Sequence, residues 1–243
     1  MAKVFLGVGH GGSDPGAVAN GFKEKDLNLS IALACKAELE KYGVSVAISR
    51  TTDVTEGLTE RIKECNAYAP DLALDIHNNA GGGDGAEAYY HFGGGTGKTL
   101  AENVLAEIVK IGQNSRGAKT KKNSAGKDYF GFIRQTSAPA IIVECAFVDN
   151  KSDLQIVDTA EEQKAMGVAI AKGVLRTLGI TPLEAGDING DGKADAQDAL
   201  LALQDSVKLT ELSGAQREAA DLDGDGKVDA SDALEILQGS VGR

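Results

Sequence analysis

The chain has 243 residues, 42% of them hydrophobic and 25% charged, with a formal net charge of −11. That is enough apolar material for one sizeable packed domain and a smaller one, and it excludes a disordered or collagen-like chain. The acidity is uneven: from Thr181 onward fourteen acidic residues stand against five basic ones, which leaves the first 180 residues near neutral. Such a tail repels nucleic acid and attracts cations.

Cys35, Cys65 and Cys145 are odd in number, lie in apolar segments and form no CxxC pair, so they read as buried thiols and not as a disulfide framework. The amino terminus MAKVFLGVGHG enters an apolar run at once and lacks the pattern of a secretory signal, and no run reaches the ~18 apolar residues of a membrane span. The expectation is cytoplasmic synthesis with release by another factor, or a secreted protein whose signal has been removed.

Val4, Phe5, Leu6 and Val8 read as a buried strand, which Gly11, Gly12, Asp14, Pro15 and Gly16 forbid to continue. His10 therefore stands at a strand's carboxyl end, where open α/β sheets bind ligands; an imidazole there is a metal ligand, a base or a plain loop residue. After a turn-rich loop, DLNLSIALACKAELEKYG predicts a helix with Asp26 as N-cap, and Glu24 lies just ahead of it, either turned back toward His10 or solvated. Val44 to Ser49 predicts a strand and Gly57 to Tyr68 a helix. In LALDIHNN, His77 again ends an apolar strand, with Asp75 on the same face, placed either to orient the imidazole or to be satisfied by backbone groups.

GAEAYYHF predicts another strand, with His91 inside it and without chemistry, and Thr99 to Ile111 a helix. The basic stretch from Gly112 to Lys127 reads as a long surface loop. FIRQT predicts a strand, Ala140 to Phe147 a further one, Asp149 to Leu154 a turn, and Glu161 to Leu178 a long helix. Glu144 is an isolated acid in the apolar run IIVECAF and needs a cation, a hydrogen-bonding site or a raised pKa.

His10 in GHGGSDPG, Glu24 in KEKDLNL, His77 in DIHNN and Glu144 in IIVECAF, in this order, resemble the zinc-dependent N-acetylmuramoyl-L-alanine amidases of the amidase-3 family over about residues 3 to 179. The resemblance implies an α/β fold with a mixed, mostly parallel sheet flanked by helices. It implies one catalytic Zn2+ on His10, Glu24 and His77, with Glu144 catalytic. Two neutral imidazoles and a carboxylate leave a fourth position open on zinc, the pattern of a catalytic site. The substrate implied is bacterial peptidoglycan, cut between N-acetylmuramic acid and L-alanine. The sequence departs from the family's pattern twice: the Asp-Pro often found before the first His is Gly7 and Val8, and the Ser two before the second His is Asp75. Arg134 is a candidate for a stem-peptide carboxylate and Asn79 for a substrate hydrogen bond, against a surface ion pair and a turn residue.

The tail is an internal repeat. DINGDGKADAQD and DLDGDGKVDASD begin 34 residues apart, each with oxygen side chains at positions 1, 3, 5, 9 and 12 and glycine at 6, and each followed by an apolar helix pattern. Asp stands at position 12, where an EF-hand usually has Glu. The repeat resembles a dockerin type I module, a small all-α unit with two EF-hand-type loops that binds cohesins. By that resemblance two Ca2+ ions are held by Asp187, Asn189, Asp191, Asp195 and Asp198, and by Asp221, Asp223, Asp225, Asp229 and Asp232, with the carbonyls of Lys193 and Lys227. The expected organisation is a catalytic domain over 1–180, a linker over 181–186 and the calcium module over 187–243. The expected function is a peptidoglycan amidase of the phage endolysin type, its tail serving wall targeting or self-association. The alternatives are an exported wall-remodelling autolysin docked to a cohesin scaffold, or a non-catalytic wall-binding protein. Ala196, Gln197, Ala230 and Ser231 replace the Ser-Thr type pair many dockerins carry at positions 10 and 11.

Overall fold

Apolar runs without a helical period become strands here, and amphipathic stretches become the helices between them. The structure, a computed structural model, describes residues 1–241, the side chain of Val241 excepted. It divides into two units, 1–179 and 180–243.

In chain order the first unit holds β1 (Lys3–Val8), β2 (Val18–Ala19), β3 (Phe22–Lys23), α1 (Glu24–Lys41), β4 (Ser45–Ile48), α2 (Leu58–Tyr68) and β5 (Leu72–Asn79). There follow β6 (Ala86–Tyr90), α3 (Thr96–Lys110), β7 (Ser115–Lys119), α4 (Gly131–Gln135), β8 (Ala140–Phe147), α5 (Lys151–Leu154) and α6 (Ala160–Thr177). Six strands form one sheet in the order β4-β1-β5-β8-β6-β7. The first four run parallel, β6 runs antiparallel to β8, and β7 is parallel to β6. The sheet is therefore mixed and mostly parallel, with helices on both faces.

Alternation along the strands decides which side chains meet which helices. On one face Phe5, Ala73, Ala140 and Ile142 pack with Ile62 and Cys65 of α2 and Phe132 and Ile133 of α4; the Phe5 and Phe132 rings stack at 6.5 Å. The other face lies under α1 and α3, and α6 packs against both of these helices. Helix α6 starts with a capping box: the Thr159 hydroxyl accepts from Glu162 N (3.2 Å) and Thr159 N donates to the Glu162 carboxylate (3.0 Å). Together these two bonds satisfy amide groups that a helix start otherwise leaves open.

Five local expectations change. Helix α1 begins at Glu24, with Lys23 and not Asp26 at the N-cap, because the hairpin of β2 and β3 delivers the chain already turned. Its Asn20-Gly21 corner has both residues at positive φ (50° and 86°), the type I′ geometry that Asn-Gly favours. The basic stretch from Gly112 contains the edge strand β7. FIRQT is the short helix α4 and not a strand, and 151–154 is a helical turn, α5. His91 lies just past the end of β6 and its Nε2 is 3.1 Å from Asp128.

In the second unit, α7 (Ala196–Ser206) and α9 (Ala230–Val241) follow the two acidic loops, and α8 (Gly214–Ala220) links them. Its core is small: Ile188, Ala199, Ala202, Leu212, Ala220, Val228, Ala233 and Ile236. Asp198 closes the first loop by accepting from Ile188 N (2.9 Å), Asn189 N (2.9 Å) and Asp195 N (3.0 Å). Asp232 closes the second through Leu222 N (2.8 Å) and Asp229 N (2.9 Å). No described helix is long and apolar enough to cross a membrane.

Candidate active site

The carboxyl ends of β1, β5 and β8 lie side by side, and the loop after β1 is pinned over them. His10 has φ 61°, a left-handed conformation that few non-glycine residues adopt and that persists only where surrounding contacts hold it. Those contacts are present: Asn28 Nδ2 and Arg50 Nη2 both donate to Gly9 O (3.0 and 3.2 Å), and Lys25 Nζ donates to Gly12 O (2.9 Å).

Glu24, the first residue of α1, is buried beneath this loop. Its Oε2 lies 3.1 Å from His10 Nε2 and accepts from Ala17 N (2.9 Å). Its Oε1 lies 2.9 Å from His77 Nδ1 and accepts from Asn78 N (3.2 Å). Burial works against the charge on Glu24, but hydrogen bonds from His10 and His77 hold its pKa well below the usual range. The two rings meet edge to face with centroids 5.1 Å apart.

The outer nitrogen of each ring meets an aspartate: His10 Nδ1 lies 2.8 Å from Asp14, and His77 Nε2 lies 3.4 Å from Asp75. Carboxylates in that position fix ring orientation and raise ligand basicity toward a metal on the other nitrogen. One ligand atom from each of His10, Glu24 and His77 falls within 4.8 Å of the others, so the three can hold one metal ion. Two imidazole nitrogens and a carboxylate oxygen are the donor set of a three-ligand zinc site with an open fourth position.

Space for this cluster depends on glycine. A Cβ on Gly9 would clash with three atoms of the His77 ring, and one on Gly16 would stand 2.5 Å from Glu24 Oε2 and 2.7 Å from His10 Cδ2. Gly7 is the register partner of Asp75, and a Cβ there would meet the Asp75 carboxylate and come 2.8 Å from Arg61 Cδ. Arg61 is buried and pairs with both Asp75 oxygens (3.0 and 3.1 Å) and with Glu56 (3.3 Å). Burial works to raise the Asp75 pKa, yet Arg61 and His77 hold it below the usual value. The two departures from the amidase-3 pattern thus meet at one place: the carboxylate of the first strand is absent at Gly7 and present on its neighbour, Asp75.

Glu144 of β8 pairs in register with His77, on the same face, and is only partly buried. Burial pushes its pKa up to about 7, against His77 and with help from Glu24, Glu87 and Asp75. A carboxylate poised near neutrality and reachable by water can take and return a proton. Beside the site lies a cavity of about 290 Å3, lined among others by His10, His77, Arg61, Leu58, Phe130 and Ile142.

Of the sequence candidates, the structure brings His10, Glu24, His77, Asp75 and Glu144 together. Asn79 is engaged at both ends, its Nδ2 donating to Glu87 (3.1 Å) and its Oδ1 accepting from Ala80 N (2.8 Å). Arg134 is spent on α4, donating to the carbonyls of Asp128 (2.6 Å) and Tyr129 (2.9 Å), and lines a different cavity. Sequence reasoning missed Asp14, Arg61, Asn28 and Glu87. Only Asp14 carried a signal, an acid four residues after His10 in a glycine turn.

In the second loop the carboxylates of Asp221, Asp223 and Asp225 converge within 4.8 Å, and Asp221 Oδ1 is buried without a hydrogen-bond partner. An orphaned buried carboxylate oxygen facing two more acids fits a bound cation. In the first loop Asp187 accepts from Gly190 N (2.9 Å), Asp191 N (3.1 Å) and Gly192 N (2.9 Å), which turns the chain around the same position.

Comparison with known proteins agrees with this geometry. A family model described as N-acetylmuramoyl-L-alanine amidase matches residues 4–176, and a dockerin type I domain matches residues 185–238. The chain is 35% identical over 226 residues to the N-acetylmuramoyl-L-alanine amidase CwlM of Bacillus licheniformis, covering 85% of this chain and 87% of that one. It is 34% identical over 192 residues to the endolysin of Bacillus phage SPP1, covering 75% and 68%. The solved structure of N-acetylmuramoyl-L-alanine amidase AmiC2 of Nostoc punctiforme superposes with a TM-score of 0.66 at 30% identity, over 73% of this chain and 97% of that one. The chain belongs to the N-acetylmuramoyl-L-alanine amidase family and carries a dockerin type I domain behind its catalytic unit.

Proposed function

We propose that the first unit is a zinc-dependent hydrolase that cuts peptidoglycan between the lactyl group of N-acetylmuramic acid and L-alanine, with the metal on His10, Glu24 and His77. The observation that carries this reading is the convergence of His10 Nε2 and His77 Nδ1 on the two oxygens of one buried carboxylate, Glu24. Zinc held there would supply Lewis acidity toward the scissile carbonyl and the attacking water. The chain's own residues do the rest. Asp14 and Asp75 hold the two rings in orientation, and the pinned loop keeps His10 over the strand ends. Glu144, beside His77 and with its pKa near neutrality, takes the proton of the attacking water and delivers it to the leaving alanine nitrogen. The test is elemental analysis beside an activity assay: wild type carries one zinc and loses activity when it is stripped, and His77→Ala carries none. Unchanged zinc occupancy in His77→Ala refutes the ligand set.

The acidic loops of the second unit bind two calcium ions in this reading, through the side chains and carbonyls named from the repeat. The biological setting is wall lysis of the endolysin type, consistent with the phage SPP1 relative. One observation favours a second setting, an exported remodelling enzyme held by a cohesin-like protein. Leu200 and Leu203 of α7 and their 34-residue repeats Leu234 and Leu237 of α9 are 37–54% exposed, leaving two equivalent apolar stripes for a protein partner. A pull-down with a purified cohesin, with and without calcium, separates the two: calcium-dependent capture supports docking, and no capture leaves the lytic setting.

A further inference from the structure

Strand register carries the chemistry of the site sideways across the sheet. His77 of β5 pairs with Glu144 of β8, and Glu144 pairs with Glu87 of β6. The buried Glu87 carboxylate meets two cations from the edge strand β7: Arg116 Nε at 2.8 Å and Lys119 Nζ at 2.5 Å, both on Oε2. Its other oxygen already accepts from Tyr89 OH (2.9 Å) and Asn79 Nδ2 (3.1 Å). One cation balances Glu87, so the cluster of one anion and two cations keeps a positive charge. Glu87 is 5% exposed, whereas Arg116 and Lys119 are 38% and 33% exposed. Arg116 lies over the Phe147 ring at 5.1 Å and bonds Glu87 through Nε alone, which leaves its two terminal amino groups in a fixed plane for another acceptor. The rest of this face is rich in carboxylates, namely Glu24, Glu144, Asp75 and Glu87.

Neighbouring strands are about 4.8 Å apart, so a point over β7 lies on the order of 10 Å from Glu144. An extended peptide advances roughly 3.4 Å per residue, and a carboxylate on the second residue beyond the cut bond reaches that far. Resting on the amidase reading above, we propose that Arg116 and Lys119 form a carboxylate subsite that binds the free acid of the residue following L-alanine, the D-glutamate of the stem peptide. The peptide then runs from Glu144 over β6 to β7, and the uncharged muramoyl side lies toward the cavity between Leu58 and Phe130.

The test compares two soluble substrates in which the glutamate α-carboxyl is the one free acid of the peptide or is amidated, muramoyl-L-alanyl-γ-D-glutamyl-L-lysinamide and its glutamyl α-carboxamide, on the wild-type full chain and on Arg116→Gln, Arg116→Lys and Lys119→Gln. Wild type prefers the acid by about tenfold in kcat/KM, equivalent to one charge-assisted contact. Arg116→Gln and Lys119→Gln collapse that preference through a raised KM for the acid, and Arg116→Lys restores part of it. Equal cleavage of both substrates by wild type overturns the subsite, as does a loss in Arg116→Gln that is the same on acid and amide, which marks a merely structural ion pair. Cleavage of neither substrate by wild type overturns the amidase reading itself and the subsite with it.

Discussion

Gly7 and Asp75 offer a direct exchange experiment, because they face each other across β1 and β5 with the buried Arg61 between them. If the guanidinium needs one carboxylate from either strand, the family's arrangement can be rebuilt by Gly7→Asp with Asp75→Ser. Asp75→Ser alone removes both oxygens that Arg61 Nη1 contacts and leaves only Glu56 at 3.3 Å. Breaking a buried ion pair from one side costs about 3–5 kcal/mol; with Glu56 still present, about 3 kcal/mol is expected. Gly7→Asp alone drives a Cβ into the Asp75 carboxylate and adds a like charge, an overpacking loss of about 1–3 kcal/mol before repulsion. For a domain of this size about 3 kcal/mol lowers Tm by about 6–12 °C. Calorimetry of the full chain reads these shifts in the transition of the first unit. The double variant should recover to within about 1 kcal/mol of wild type, a coupling that independent sites do not show. A double variant as unstable as the summed single losses refutes the exchange.

Three further outcomes are expected. Glu144→Gln keeps the fold and the zinc while losing about 10² to 10⁴ in kcat, measured on soluble muropeptide; near-normal turnover removes Glu144 from proton transfer. Gly9→Ala puts a methyl group in steric conflict with the His77 ring, so zinc content by elemental analysis falls well below one per chain, and full occupancy would show that the ring has room to move. Removing calcium with EGTA leaves fourteen acids against five bases in the tail, so limited proteolysis of the full chain should cut after residue 186 only in the chelated sample; identical digestion patterns speak against calcium-coupled folding.

How much of this was legible in the sequence depended on the residue. His10, His77 and Glu144 stood at glycine stops or inside apolar runs, where a polar side chain is anomalous, and the acidic loops repeat a spacing that metal coordination demands. Glu24 was placed in the loop ahead of the helix when it is the helix's first residue, since a hairpin of only four strand residues set the helix start three residues early. FIRQT read as a strand because a short apolar run carries no period to separate the two structures. SRGAK was hidden for the opposite reason: an edge strand with a glycine and no large apolar side chain looks like loop until β6 is seen to pair with it. Its two cations could not be connected to Glu87 or Glu144 without that register. The pairing of Gly7 with Asp75 was likewise invisible, being a contact between residues 68 positions apart.

Hydrolysis of one amide bond is read out by digesting purified peptidoglycan with the full chain and identifying the new ends by mass spectrometry and amino-group labelling. Wild type, and not Glu144→Gln, should release free L-alanine amino termini and leave intact glycan strands whose lactyl groups end in carboxylic acids. New reducing sugar ends, amino termini at any other stem residue, or the same products from Glu144→Gln would contradict that hydrolysis.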